Sequence, residues 1–230
     1  MRARVIFVTG TDTGVGKTLL TGLLLRHLRA SGLHALAMKP FCSGRRADVR
    51  FLSLLQDREL TLDEINPFFY PEPVAPLVSA RKHRREVALS TVVESIAALS
   101  RRCEILLVEG AGGLLVPLGS RFTVADLIER AADEVIVVAA NRLGTINHTL
   151  LTVRALRMPG LRPLPIKVVL MQHRLRDASV SSNETILREM LAPVPIWGLA
   201  FLGKNPGRLP TLKNLSRKLK KVLAELASAL

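Results

Sequence analysis

Short apolar runs rich in Val, Ile, Leu and Ala recur at Val5–Val8, Leu36–Met38, Ile105–Val108, Val135–Ala139 and Ile166–Met171, with a weaker one near Ile196–Phe201. They lack the alternation of a half-exposed strand and therefore predict strands buried on both faces. Between them, apolar residues fall at helical spacing over Leu19–Leu28, Thr91–Leu99, Ile146–Leu156 and Thr185–Leu191. Strands alternating with helices predict an α/β fold, a mostly parallel sheet with helices on both faces. The pattern runs through residues 1–230 without a repeat or a low-complexity break, so one domain is expected. Arg58–Arg85, punctuated by Pro67, Pro71, Pro73 and Pro76, reads as an extended excursion over the surface. Near the end, Leu212, Leu215, Leu219, Val222 and Leu226 form a stripe predicting an amphipathic helix over about 212–229 with a basic outer face.

In such sheets ligands gather at the carboxyl ends of the strands. The first strand runs into GTDTGVGKT, Gly10–Thr18, and then a helix. This is the arrangement of a phosphate-binding loop. Backbone N–H groups from Thr13, Gly14, Val15 and Gly16 turn toward phosphate oxygens, Lys17 adds a point charge, and Thr18 offers its hydroxyl to Mg²⁺. Five residues separate Gly10 from Gly16, one more than in the common G-x-x-x-x-G-K-[ST] pattern.

The other predicted strand ends carry chemistry too. Glu109-Gly110-Ala111-Gly112 closes the third run with a carboxylate and a glycine turn, where an acid that helps hold Mg²⁺ is expected. Asp48 is a second candidate for the metal with Thr18 and Glu109; its plainer reading is a surface ion pair with Arg45, Arg46 or Arg50. Lys39 ends the second run, and a lysine there is costly to bury unless an anion pairs with it. Ser43 follows with a hydroxyl. The Gly144-Thr145-Ile146-Asn147 turn opens a helix whose free N–H groups can receive a carboxylate, or are simply capped by Thr145 or Asn147. His148 next to them reads as a helix-surface residue.

The formal net charge is +14. Its basic clusters, Arg81–Arg85, Arg101-Arg102 and the tail from Lys204 to Lys221, are not interleaved with aromatics, so they read as solvated surface with nonspecific attraction for polyanions. No specific nucleic-acid partner is expected. Cys42 and Cys103 have neither disulfide-framework nor C-x-x-C spacing and are expected as free thiols. No leader pattern and no apolar run of about 18–20 residues is present, so a cytoplasmic protein without membrane association is expected.

Taken together, GTDTGVGKT, KPFCSG at Lys39–Gly44, NPFFYPEPVAP at Asn66–Pro76, VEGAGGLLVPL at Val108–Leu118 and NRLGTINHTLLT at Asn141–Thr152 resemble the dethiobiotin synthetase family, in family order. The resemblance implies an ATP-dependent, Mg²⁺-using ligase in biotin synthesis. CO₂ forms a carbamate on 7,8-diaminopelargonic acid, ATP phosphorylates it, and the neighbouring amine closes the ring. It assigns Lys17 and Lys39 to catalysis, and Thr13, Lys39 and Ser43 to the diamine. Gly144, Thr145 and Asn147 are assigned to the substrate's tail carboxylate across a homodimer interface. Where relatives commonly place an asparagine that reads the nucleotide base, this chain has Met171, followed by Gln172. Phe201–Gly207 only loosely matches the family's base-contacting segment. Regulatory P-loop ATPases of the partitioning and division-site type share the fold, but carry an early loop lysine where this chain has Asp12. An inactive family member that binds polyanions is a third reading, which the retained Lys17, Lys39 and Glu109 oppose.

Overall fold

The computed structural model describes residues 2–173, 177–202 and 217–228. Six parallel strands make the central sheet: β1 (Arg4–Gly10), β2 (Ala35–Met38), β5 (Ile105–Glu109), β8 (Glu134–Ala140), β9 (Ile166–Met171) and β10 (Ile196–Leu199), in the order β10-β9-β8-β1-β5-β2. Every residue of β2, β5, β8 and β9 is buried, which is why these segments read as continuous apolar runs. The register pairs Val8 with Glu109 and Gly10 with Val138, so the phosphate-loop glycine and the strand-end glutamate emerge side by side.

Helix α1 (Lys17–Ala30) starts directly behind the loop and buries Leu20, Leu23, Leu24, Leu25 and Leu28. It lies against α2 (Ala47–Leu55) on one side and the C-terminal helix on the other. A Cβ built on Gly22 of α1 would stand 2.5 Å from Phe51 Cε1 and 2.7 Å from Leu55 Cδ1, so α2 can approach this closely only because residue 22 has no side chain. Further helices are α5 (Leu89–Ser100), α6 (Val124–Ala131), α7 (Thr145–Leu156) and α8 (Val180–Leu191). One continuous core joins all these elements.

Arg58–Arg85 is not the extended excursion its prolines suggest. It holds α3 (Leu62–Ile65), strand β4 (Phe68–Tyr70) and α4 (Pro76–Lys82). Thr61 and Glu64 form a reciprocal capping box that starts α3, and Pro76 sits in the first turn of α4, where a missing N–H costs nothing. Strand β4 pairs in parallel with β3 (Phe41–Ser43), and Ile65, Tyr70 and Ala80 are buried beneath it. A hairpin of β6 (Pro117–Gly119) and β7 (Phe122–Thr123) completes the fold. The predicted C-terminal helix is α9 (Arg217–Ser228), with Leu219, Leu223 and Leu226 buried. Leu212, Leu215 and the base-segment residues 203–207 lie outside the described residues.

Candidate active site

The loop between β1 and α1 takes its shape from glycine. Gly14 has φ +68° and Gly16, which precedes the first turn of α1, φ +105°, both in the left-handed region that L side chains rarely adopt. Asp12 braces the turn by accepting from Thr13 N–H at 2.6 Å, while Lys17 Nζ donates to the Asp12 carbonyl at 2.7 Å. Val15 is turned inward against Gly10, so only its backbone remains available to an anion. The Gly110–Gly113 turn stacks on this loop: a Cβ on Gly113 would be 3.3 Å from the Thr11 carbonyl, and one on Gly112 3.7 Å from Thr13 Cγ2.

Behind the loop a charged cluster is buried. Lys39 Nζ donates to Glu109 Oε1 at 2.8 Å and to Asp48 Oδ2; Thr18 Oγ1 donates to the same Glu109 Oε1 at 2.6 Å. Glu109 is fully buried, and its second oxygen, Oε2, has no hydrogen-bond partner. Asp48 therefore pairs with Lys39 rather than with the neighbouring arginines. Arg46 instead pairs with Asp63 at 2.8 Å and stacks over Phe69. The two lysines differ in their acid–base balance. Burial lowers Lys17 to a pKa of about 8, the attraction of Glu109 only partly offsetting it, and Lys39 pushes it further down. Burial also opposes charge on Lys39, but Glu109 and Asp48 together outweigh it and raise its pKa.

Two cavities meet at this cluster. One, of about 320 Å³, is walled by Thr13, Gly14, Gly16, Lys17, Thr18 and Glu109. The other, of about 390 Å³, runs along Phe41, Cys42, Ser43, Arg45 and the Pro73–Pro76 loop to Ala111 and Val116. Thr13, Lys39, Asp48 and Gly112 line both. The first suits a polyphosphate; the second is a longer trough with a mainly apolar wall. Ser43 Oγ is buried at its edge without a hydrogen-bond partner. Reasoning from sequence found the polar rim of this trough but not its wall: Phe41, Val74 and Val116 carry no chemistry of their own. The run PEPVAP was the available signal.

Other expected site residues lie elsewhere. Gly144, Thr145 and Asn147 line neither cavity of their own chain. They open α7, with Gly144 at φ +91° and Thr145 Oγ1 buried without a partner. His148 is exposed, as expected. Met171 ends β9 and packs beneath the phosphate loop, so that a methyl group on Gly16 would meet its Cε at 3.0 Å. Gln172 follows, its backbone N–H bonded to the Leu199 carbonyl and its Oε1 buried without a partner. Cys42 and Cys103 are free, and burial pushes both thiols up. Among the described residues no cluster of three or more His, Cys, Asp or Glu side chains could hold a metal, and no helix is long and apolar enough to cross a membrane.

The AAA domain family matches residues 4–215. An ATP-dependent dethiobiotin synthetase of Anaeromyxobacter sp. (strain Fw109-5) is 43% identical over 204 residues, covering 86% of this chain and 91% of that one. The enzyme of the same name from Anaeromyxobacter dehalogenans (strain 2CP-1) is 49% identical over 162 residues, 69% of this chain and 73% of the other. In three dimensions the chain is similar to a ParA-family ATPase from Chlorobium tepidum TLS, with a TM-score of 0.61 over 99% of both chains. At 15% identity, that likeness speaks for the shared P-loop sheet alone. With the phosphate loop, the buried lysine–carboxylate cluster and these relatives in view, the chain belongs to the ATP-dependent dethiobiotin synthetase family.

Proposed function

We propose that this chain converts 7,8-diaminopelargonic acid, CO₂ and ATP to dethiobiotin, ADP and phosphate, with the triphosphate in the loop cavity and the diamine in the trough. The observation that carries this reading is the meeting of the two cavities at Lys39. A carbamate formed on a diamine amine in the trough would lie between Lys39 and the γ-phosphate held over Lys17. Lys39 is kept cationic by Glu109 and Asp48, so it acts as a fixed positive charge for carbamate and phosphate oxygens rather than as a base. Ser43 Oγ, which has no hydrogen-bond partner among the described residues, is available to bond a diamine nitrogen. Gly110, Ala111 and Gly112 bring backbone close to the transferring group.

Mg²⁺ fits the donor set. The buried Oε2 of Glu109 lacks a partner, and a Thr18 hydroxyl, one or two carboxylates and phosphate oxygens suit this ion. Asp48 is the second carboxylate. When bound, the metal would neutralise phosphate charge. The substrate's far carboxylate is assigned to the N–H groups at Gly144–Asn147 of a second copy. This reading is supported by their absence from the lining of their own chain's trough and by two exposed leucines nearby, Leu143 just before α7 and Leu151 in its middle, 79% and 58% exposed. Met171 and Gln172 sit at the base end of the nucleotide, where Gln172 offers the amide that Met171 lacks. The reaction is assigned to the cytoplasm.

The test incubates the protein with 7,8-diaminopelargonic acid, bicarbonate, Mg²⁺ and each nucleoside triphosphate, following dethiobiotin by mass spectrometry and phosphate release in parallel. Dethiobiotin formed in step with phosphate supports the assignment. Hydrolysis that ignores the diamine and gives no product overturns it.

A further inference from the structure

On one side of the sheet α2, α1 and α9 form a single layer, with α1 in the middle. Its outer surface is basic. Arg50 on α2 and Lys220 and Lys221 on α9 are exposed, and Arg26 is partly exposed on α1 between them. Arg26, Arg50 and Lys220 have no acidic partner among the described residues, and Lys221 has only a loose one, Glu225 at 3.8 Å. The acidic groups nearby are already engaged. Asp57 and Glu59 are held by Arg29, Asp63 by Arg46, and Glu225 accepts from Trp197 Nε1 at 3.0 Å. The apolar stripe of α9 is used up in the core, as Leu219, Leu223 and Leu226 are buried, so this helix has nothing to insert into a bilayer. The aromatic side chains of this region, Phe51 packed against Gly22 and Trp197 bonded to Glu225, are half-buried and already engaged rather than set out as a platform for unpaired bases.

We propose that the α2–α1–α9 face binds double-stranded nucleic acid without sequence preference, through phosphate contacts alone. Three helices at about 8–10 Å spacing set these cations across roughly 16–20 Å, wide enough to meet phosphates on both sides of a duplex groove. A duplex carries a charge about every 1.7 Å of its axis and rewards each neutralised phosphate by counterion release. Arg26 lies more than two helical turns along α1 from Lys17, so a duplex on this face leaves the phosphate loop open.

The test is fluorescence anisotropy with a labelled mixed-sequence DNA duplex between about 50 and 200 mM salt. The triple variant Arg26→Gln/Lys220→Gln/Lys221→Gln is set against Arg130→Gln/Arg154→Gln/Arg157→Gln, which removes the same charge from exposed positions on or next to α6 and α7, across the sheet. Wild type should bind, and the first triple should flatten the slope of log K against log salt by about 2–3; the second should leave it nearly unchanged. Both triples should keep their circular dichroism. Equal losses in the two triples would reduce the effect to net charge and overturn the proposal. So would failure of the wild type to bind the duplex, or capture by phosphatidylserine vesicles in its place.

Discussion

Two glutamates in the central sheet are equally buried and face different partners. Glu134 begins β8, at the end of the strands opposite the phosphate loop, and Glu109 ends β5 beside the loop; both are 0% exposed. Glu134 faces a cation at each oxygen, although its Oε1, ion-paired with Lys167, has no hydrogen-bond partner among the described residues. Arg4 donates to Oε2 at 2.6 Å, Lys167 pairs with Oε1, and Lys167 also donates to the Leu226 carbonyl at 3.0 Å, fastening the last turn of α9. Glu109 has two donors, Thr18 and Lys39, converging on a single oxygen, while the other has no hydrogen-bond partner among the described residues. A buried carboxylate with a cation against each oxygen holds the fold together. One left half-satisfied is prepared for something outside the chain. Neither burial nor the hydrogen-bond count distinguishes the two, since each has one oxygen without a hydrogen bond; the placing of the cations does, at both oxygens of Glu134 and at one of Glu109.

The largest effect should come from exchanging each for its amide. Glu134→Gln removes the buried charge that Lys167 and Arg4 face and should cost about 3–5 kcal/mol in urea unfolding, with turnover at saturating substrate intact. Glu109→Gln should barely move the unfolding midpoint and lower turnover roughly 10–100-fold. If the two variants behave alike, the contrast fails. Next in size is Lys39→Ala. Dethiobiotin formation should be suppressed by roughly 10²-fold or more, while triphosphate affinity stays within a few-fold by calorimetry. Equal loss of both would move Lys39 to the phosphate site.

A smaller effect concerns Lys17. With its pKa lowered to about 8 against an ordinary 10.5, the folded chain favours the uncharged form. The burden of holding it charged is therefore present below pH 8 and relieved as pH rises through that value. A triphosphate needs the charged form, so binding above pH 8 must take up a proton, and affinity should fall about tenfold per pH unit. Affinity that stays flat to pH 9.5 would mean that Lys17 is already charged throughout. The smallest effect compares the two ends of β9, where Lys167 fastens α9 and Met171 underlies the phosphate loop. Met171→Asn should sharpen the preference for ATP over other triphosphates a few-fold in turnover, without changing stability as Lys167→Met would. An unchanged nucleotide panel would show that the base is read elsewhere.

What could be read in advance followed physical scale. Continuous apolar strands and the glycine loop declare themselves within a few residues; all the long strands formed where the pattern put them, and Lys17, Thr18 and Glu109 line one cavity at their ends. The pair of Lys39 with Asp48 did not declare itself, because local charge counting points Asp48 at Arg45, Arg46 and Arg50. Only the turn after β3 brings its carboxylate back to Lys39. The small β3–β4 sheet was hidden for a different reason. Its strands are three residues long, too short for any period, and the prolines beside them start a helix rather than prevent structure. The capping boxes at Thr61 and Thr123 were legible in kind, as Thr-x-x-Glu and Thr-x-x-Asp, and mark α3 and α6.

The close seat of Phe51 and Leu55 on Gly22 ties the two halves of the site together. Helix α2 carries Asp48 one turn before Phe51, so the depth at which that carboxylate meets Lys39 is measured from α1 by the absence of a single methyl group. Across divergent sequences, residues 22, 51 and 55 should then change in concert, a larger side chain at 22 being matched by smaller ones opposite. Drift at any one alone would be felt in the chemistry before it was felt in the fold.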